Sequence, residues 1–102
     1  MPFARINMVE FSSKADAEYA LKTYREEASR LFPNAQILLQ ILTGPQSVMS
    51  ISVYENPEQA EIAVAGRKQY VSLVGDRIRD VFFYEGDVDF EFLGEAFKKA
   101  LK

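Results

Sequence analysis

Residues 47–54, SVMSISVY, alternate side chains of two kinds: Met49, Ile51 and Val53 on one parity, Val48, Ser50, Ser52 and Tyr54 on the other. This two-residue period marks a strand with unlike faces. The preceding TGPQ (43–46) has the chemistry of a turn, and before it QILLQIL (36–42) is a second strand, so 36–55 is expected to be an antiparallel hairpin. A hairpin in the middle of a chain constrains everything around it. Whatever strands lie outside must pair with its edges, and whatever helices lie between must cover one of its faces.

The flanks supply both. FARINMVEF (3–11) is a strand, and residues 12–33 are a helix, with Ser12 or Ser13 as its cap and Asp16 in the first turn. Ala17, Ala20, Leu21, Tyr24, Ala28 and Leu31 make one helical stripe, and Pro33 ends it. After the hairpin, Asn56 and Pro57 open a second helix whose stripe runs through Ala60, Ala63, Val64, Tyr70, Val71, Val74 and Ile78. Gly66 inside it costs roughly 1 kcal/mol of helix propensity, and is expected to permit a close approach to the sheet or to mark a break. DVFFYEG (80–86) is a fourth strand, and 87–102 is a short terminal helix with Phe90, Leu93, Phe97 and Leu101 on one side. The order is β-α-β-β-α-β with a helical extension. It predicts one α+β, ferredoxin-like domain over 1–102: a four-stranded antiparallel sheet with two helices on one face.

Two helices cover one side of such a sheet. Assigning Met49, Ile51 and Val53, with Ile6 and Met8, to the helices leaves a second face of Arg5, Asn7, Val9, Phe11, Leu38, Gln40, Leu42, Val48, Ser50, Ser52 and Tyr54, joined by Phe82 and Tyr84. That face is too apolar to be left in water. A second copy of the sheet is the expected cover, which predicts a homodimer.

Composition narrows the chemistry. The 102 residues are 48% hydrophobic, enough for one core, and carry a net charge of −3. An acidic balance gives no basic footprint for nucleic acid and disfavours anionic membranes, so neither partner is expected. There is no Cys, which removes disulfides and thiol nucleophiles, and no His, which removes the commonest base and nitrogen ligand near neutral pH. No apolar run approaches a membrane span and the first residues, MPFARINMVEF, do not resemble a signal peptide; a cytoplasmic protein is the expectation.

Element order, length and face composition over residues 3–86 resemble the dimeric α/β barrel superfamily, most nearly its antibiotic-biosynthesis-monooxygenase-like branch. The resemblance implies two sheets facing one another, a cavity within the barrel or beneath each helix layer, and no cofactor. Asn7 matches the first-strand Asn of the haem-degrading members, but their Trp and His have no counterpart in this chain, and the stress-responsive and chlorite-dismutase-like branches also rely on histidine. An RNA-recognition motif needs a basic, aromatic third strand, and an acylphosphatase needs a Gly-rich loop after the first; SVMSISVY and EFSSKAD are neither.

Candidate ligand-binding residues are Arg5, Asn7, Tyr54 and Tyr84. Arg5 offers a charged donor fork for a carboxylate or enolate, against the simpler role of an ion pair with Glu10, Glu55 or Glu85. Asn7 and the two phenols supply hydrogen bonds to a quinone-like or phenolic molecule, against interface packing. Ser50 and Ser52 have no histidine to activate them and are not nucleophiles. Residues 67–80, RKQYVSLVGDRIRD, mix Arg67, Lys68, Arg77 and Arg79 with acids and are expected to be salt-bridged helix surface rather than a phosphate site. The alternate carboxylates of EGDVDFEF (85–92) lack a calcium-loop spacing, so no metal is expected. Two functions fit these features: a cofactor-independent, monooxygenase-like enzyme for a small aromatic or quinone-type substrate, with no assignable catalytic residue, and a non-catalytic dimeric module that binds a small apolar or aromatic ligand or merely associates.

Overall fold

The computed structural model describes residues 1–100. Its elements are β1 (Phe3–Phe11), α1 (Lys14–Leu31), β2 (Ile37–Gly44), β3 (Ser47–Tyr54), α2 (Pro57–Ile62), α3 (Val64–Val74), β4 (Ile78–Asp87) and α4 (Glu95–Ala100), with a 3-10 turn at Gly75–Arg77 before β4. The four strands form one antiparallel sheet in the order β2-β3-β1-β4, the ferredoxin-like arrangement the element order predicts. Among the described residues no helix is long and apolar enough to cross a membrane.

Both helix starts are held by their caps. The Ser13 hydroxyl accepts from the Asp16 amide at 3.0 Å, and the Asn56 side-chain oxygen accepts from the Gln59 amide at 2.9 Å, with Pro57 in the first turn of α2. Each cap satisfies one amide that the helix itself leaves without a partner. The second helix is not continuous: it stops at Ala63 and restarts as α3. Gly66 explains the path α3 takes. A methyl group built on it overlaps the carbonyl oxygen of Leu31, at the end of α1, so the close approach is to the other helix and not to the sheet.

The sheet register corrects the assignment of faces. Arg5 pairs with Ser52, Asn7 with Ser50, Val9 with Val48 and Phe3 with Tyr54, while Leu38 lies opposite Ser52 and Gln40 opposite Ser50. These residues do share one face, as their alternation implies. It is, however, the face beneath the helices. Phe11 and Val48 are buried with Ala17, Ala20 and Val74, and Tyr54 is buried with Ala60 and Ala63. Val9, Phe11, Leu38 and Val48 therefore belong to the protomer's own inner side rather than to a surface awaiting a partner, while Leu42, on the same face of the edge strand β2, is 67% exposed. The physical reason is the helix stripe: it is built of alanines, which bring the backbone close and leave room for the large side chains of the sheet.

The other face carries Ile6, Met8, Leu39, Ile41, Met49, Ile51 and Val53, and the register places Phe82 beside Met8 and Tyr84 beside Ile6. Phe82 and Tyr84 thus sit opposite to Arg5 and Asn7, not with them. Val81 and Phe83 take the inner positions, across from Val9 and Asn7. The outer face is uncovered, with Phe82 61% and Tyr84 63% exposed.

The end of the chain also differs from expectation. β4 runs to Asp87, the Val88 amide bonds to the Pro2 carbonyl, and among the described residues helix begins only at Glu95. Phe90, Phe92, Leu93 and Phe97 are all exposed, so the tail does not dock on its own sheet; Leu101 lies outside the described residues.

Replacing Gly66 by Ala tests the crossing of α1 and α3. At an open helix position this change stabilises by roughly 1 kcal/mol. Here the new methyl meets backbone that cannot rotate away, and stability should fall by about 1–3 kcal/mol. Urea denaturation measures the sign; a gain in stability would place the two helices further apart than this.

Candidate functional site

Between the inner sheet face and the helices lies a cavity of about 560 Å³. That is the size of a small-molecule site and too large to be a packing defect. Its floor is built by alternate residues of three strands: Arg5, Asn7 and Val9 of β1, Ser50, Ser52 and Tyr54 of β3, and Leu38 and Gln40 of β2. Its roof is Leu21 and Tyr24 of α1 with Arg67, Lys68, Tyr70 and Val71 of α3. Val81 and Phe83 of β4 form one side. This chamber is what the small neutral hydroxyls of β3 look at. A large side chain at Ser50 or Ser52 would fill the space, and a charged one would need a partner there.

Three of the four candidate residues line this cavity, and Tyr84 does not. Arg5 is 7% exposed, and its guanidinium is already occupied. Its Nε donates to Glu85 Oε2 at 3.0 Å, its Nη1 donates to the Ala60 carbonyl at 2.6 Å, and its Nη2 lies 3.7 Å from Glu61. The bond to Ala60 satisfies a carbonyl near the end of α2, so Arg5 ties β1, β4 and α2 together. The ion pair with Glu85 is the structural role weighed for it.

Tyr54 is buried against Ala60 and Ala63 rather than reaching water. Near it stands an aromatic cluster of Tyr24, Tyr70 and Phe32, of which the helical spacing places Tyr24 and Tyr70 on the helix stripes. Tyr24 and Tyr70 meet edge to face with centroids 5.4 Å apart, and Tyr24 stacks on Phe32 at 5.9 Å. The Tyr70 hydroxyl donates to the Ala20 carbonyl at 3.0 Å. Burial pushes the phenol of Tyr24 up to about 12, assisted by the neighbouring Tyr54, and pushes that of Tyr70 up to about 12, assisted by Tyr24. Both are therefore protonated hydrogen-bonding groups at any physiological pH, not bases.

The expectation of a salt-bridged helix surface over residues 67–80 fails for the cations of α3. Arg77, in the 3-10 turn, and Arg79, on β4, are salt-bridged, though to Asp16 of α1 at 2.8 Å and Glu10 of β1 at 3.3 Å rather than along a helix surface. Arg67 and Lys68 are not: among the described residues neither has a carboxylate within ion-pairing distance, and both line the cavity. The Arg67 guanidinium carbon stands 5.5 Å from the centre of the Phe83 ring. A signal was available in the sequence, since residues 67–71 carry two cations and an aromatic with no acid among them.

No protein-family model and no curated protein matches the sequence. Solved structures do match in shape. The chain superposes on a dimeric ferredoxin-like protein from an uncultured marine organism with a TM-score of 0.74 and 16% identity, over 92% of this chain and 93% of that one. An antibiotic-biosynthesis-monooxygenase-like protein from Chloroflexus aurantiacus gives a TM-score of 0.74 at 13% identity, over 92% and 100%. SnoaB, a cofactor-independent oxygenase from Streptomyces nogalater, gives 0.70 at 12% identity, over 88% and 95%.

The phenols give a direct test of the buried cluster. In an alkaline titration followed by phenolate absorbance, Tyr24 and Tyr70 should ionise only near pH 12, and the Tyr70→Phe variant should lose one of these late-ionising phenols. The unfolded chain ionises these groups near their ordinary value of 10, so the folded state holds more protons between the two values. Stability should accordingly fall as pH rises from about 10 towards 12. Ionisation of Tyr24 and Tyr70 near pH 10 would place the cluster in water. On the evidence of shape, this chain has the ferredoxin-like fold shared by dimeric ferredoxin-like and antibiotic-biosynthesis-monooxygenase-like proteins.

Proposed function

We propose that this chain works as a homodimer whose protomers each hold one small aromatic or quinone-type molecule in the cavity beneath the helices, in the manner of a monooxygenase-like enzyme that needs no cofactor. The observation that carries this reading is the cavity itself. It joins an apolar and aromatic lining to a few polar groups, Asn7, Gln40, Ser50 and Ser52, grouped on a rigid sheet. The likeness in fold to SnoaB, described as a cofactor-independent oxygenase, supports the reaction class. In such a reaction the substrate supplies its own electrons to O2; one oxygen atom enters the substrate and the other leaves as water. The protein's share is to orient a flat molecule, favour its electron-rich anion and keep water out. One observation favours a second reading, a binding module without chemistry: no carboxylate lines the cavity and the chain has no His, so no side chain there is an evident proton acceptor.

Dimerisation rests on the outer sheet face, where Phe82 and Tyr84 stand with Ile6, Met8, Leu39 and Ile41 in one uncovered apolar surface. Facing sheets would bury on the order of 2,000 Å² in total. The exposed Phe90, Phe92 and Leu93, which find no place on their own sheet, are available to the same interface.

Two measurements check these readings. Sedimentation should show a dimer at micromolar concentration, converted to monomer by Phe82→Asp, which would bury a charge between the sheets; a monomeric parent protein would refute the dimer. Oxygen consumption, measured with a panel of hydroquinones and hydroxynaphthalenes, should exceed the protein-free rate by about tenfold or more and return to it when Ser50→Trp fills the floor. Binding of these compounds with no oxygen uptake would overturn the enzyme reading in favour of the binding module.

A further inference from the structure

In a chain of net charge −3, the cavity is lined, among the described residues, by three cations and by no carboxylate. One of the three, Arg5, is paired with Glu85, which lies outside the lining, and donates to the Ala60 carbonyl. The other two, Arg67 and Lys68, lie on consecutive positions of α3 and have no acidic partner among the described residues, although acids outnumber bases in the sequence by 15 to 12. Other basic side chains near them in sequence, Arg77 and Arg79, do find acids. An unpaired cationic pair at the edge of an apolar chamber concentrates positive potential there.

Their position is as informative as their charge. β4 packs on β1 at one edge of the sheet, and its inner residues Val81 and Phe83 remain about half exposed, so the chamber opens between β4 and α3. Arg67 stands across that opening with its guanidinium carbon 5.5 Å from the centre of the Phe83 ring, and Lys68 beside it is exposed. Packing against the ring restrains the guanidinium while its N–H groups remain for a ligand; the exposed ammonium adds charge without blocking entry. Inward from this rim the lining is phenolic and apolar, with Tyr24, Tyr70 and Val71 overhead.

We propose that the ligand of this cavity is an aromatic anion, held with its charged group at the rim between Arg67 and Lys68 and its ring inward, and that these two residues, not Arg5, set the requirement for charge. The proposal rests on the cavity reading given above and adds the class of molecule and the residues that select it. A neutral aromatic of the same shape enters the same space but leaves the rim cations without a counter-charge.

Calorimetric titration of the full-length protein with 2-naphthoate and with 2-naphthamide, which share a ring system and differ in charge, tests it. The anion should bind about tenfold more tightly than the amide at low salt, the size of one partly solvated charge-assisted contact, and the difference should shrink in high salt. In the Arg67→Gln/Lys68→Gln double variant the two compounds should bind alike, at the affinity the parent protein shows for the amide. An unchanged amide affinity in that variant shows that its cavity is intact. Equal binding of both compounds by the parent protein, or an anion preference that survives the double substitution, overturns the charge assignment while leaving the cavity reading in place. Failure of both compounds to bind the parent protein overturns the cavity reading and this proposal together.

Discussion

A guanidinium enclosed between a sheet and its helix layer has to be satisfied where it stands, because an unpaired charge there costs several kcal/mol. Arg5 meets that demand with partners from two other elements: Glu85 on β4 and the Ala60 carbonyl of α2, with Glu61 nearby. Its planar fork fixes direction as well as distance, so β1, β4 and the end of α2 are placed relative to one another by one side chain. The alanine stripe does the rest. Ala17 and Ala20 of α1 and Ala60 and Ala63 around α2 let the helix backbones descend onto the sheet near Phe11, Val48 and Tyr54. Between these contacts the small side chains Ser50 and Ser52 leave the floor low, and the space above them stays open.

The same arrangement separates two tasks that composition alone would merge. Arg5 is a charge consumed by the fold, and Arg67 and Lys68 are charges left over from it. All three are basic residues near aromatic ones in the sequence, and only the partners distinguish them. Carboxylates offer the complementary lesson. Glu85, Asp16 and Glu10 pair with Arg5, Arg77 and Arg79, and among the described residues no carboxylate lines the chamber.

Much of the fold was legible in the sequence. Caps, the central turn and strand alternation located the elements, and alternation also grouped the inner residues of β1, β2 and β3 correctly, because register follows from pleat. Which group faced the helices was not legible. Both faces are apolar, and Met49, Ile51 and Val53 make the more hydrophobic side, so burial by hydrophobicity alone selects the wrong one. The more apolar face is the uncovered one, and the mixed face lines the chamber. On β4 even the grouping failed. Residues 81–84, VFFY, are all large and carry no alternation, so nothing local told Phe83 from Tyr84. The bulge between Glu10 and Phe11 shifts the pairing with β4 as well, a tertiary detail with no mark in either strand. Of the candidate site, Arg5, Asn7 and Tyr54 were recognisable on the strands, whereas Tyr24, Tyr70, Arg67 and Lys68 were hidden in helices, where an inward polar residue resembles core or surface until its neighbours are known.

The joint at Ala63 has a consequence for how such a chain can vary. α3 inherits its rotation about its own axis from that one residue, and each residue added to or removed from a helix turns all that follows by about 100°. A single insertion at the joint would swing Gly66 away from the Leu31 carbonyl, bring a side chain into that crossing, and carry Arg67 off the chamber's rim. Substitutions at the joint leave this phase untouched. Descendants of this sequence can therefore drift in identity at the exposed positions 62 and 65, yet Ala63 must stay small beneath Tyr54, and the spacing from Asn56, which starts α2, to Gly66 is a length the fold must keep.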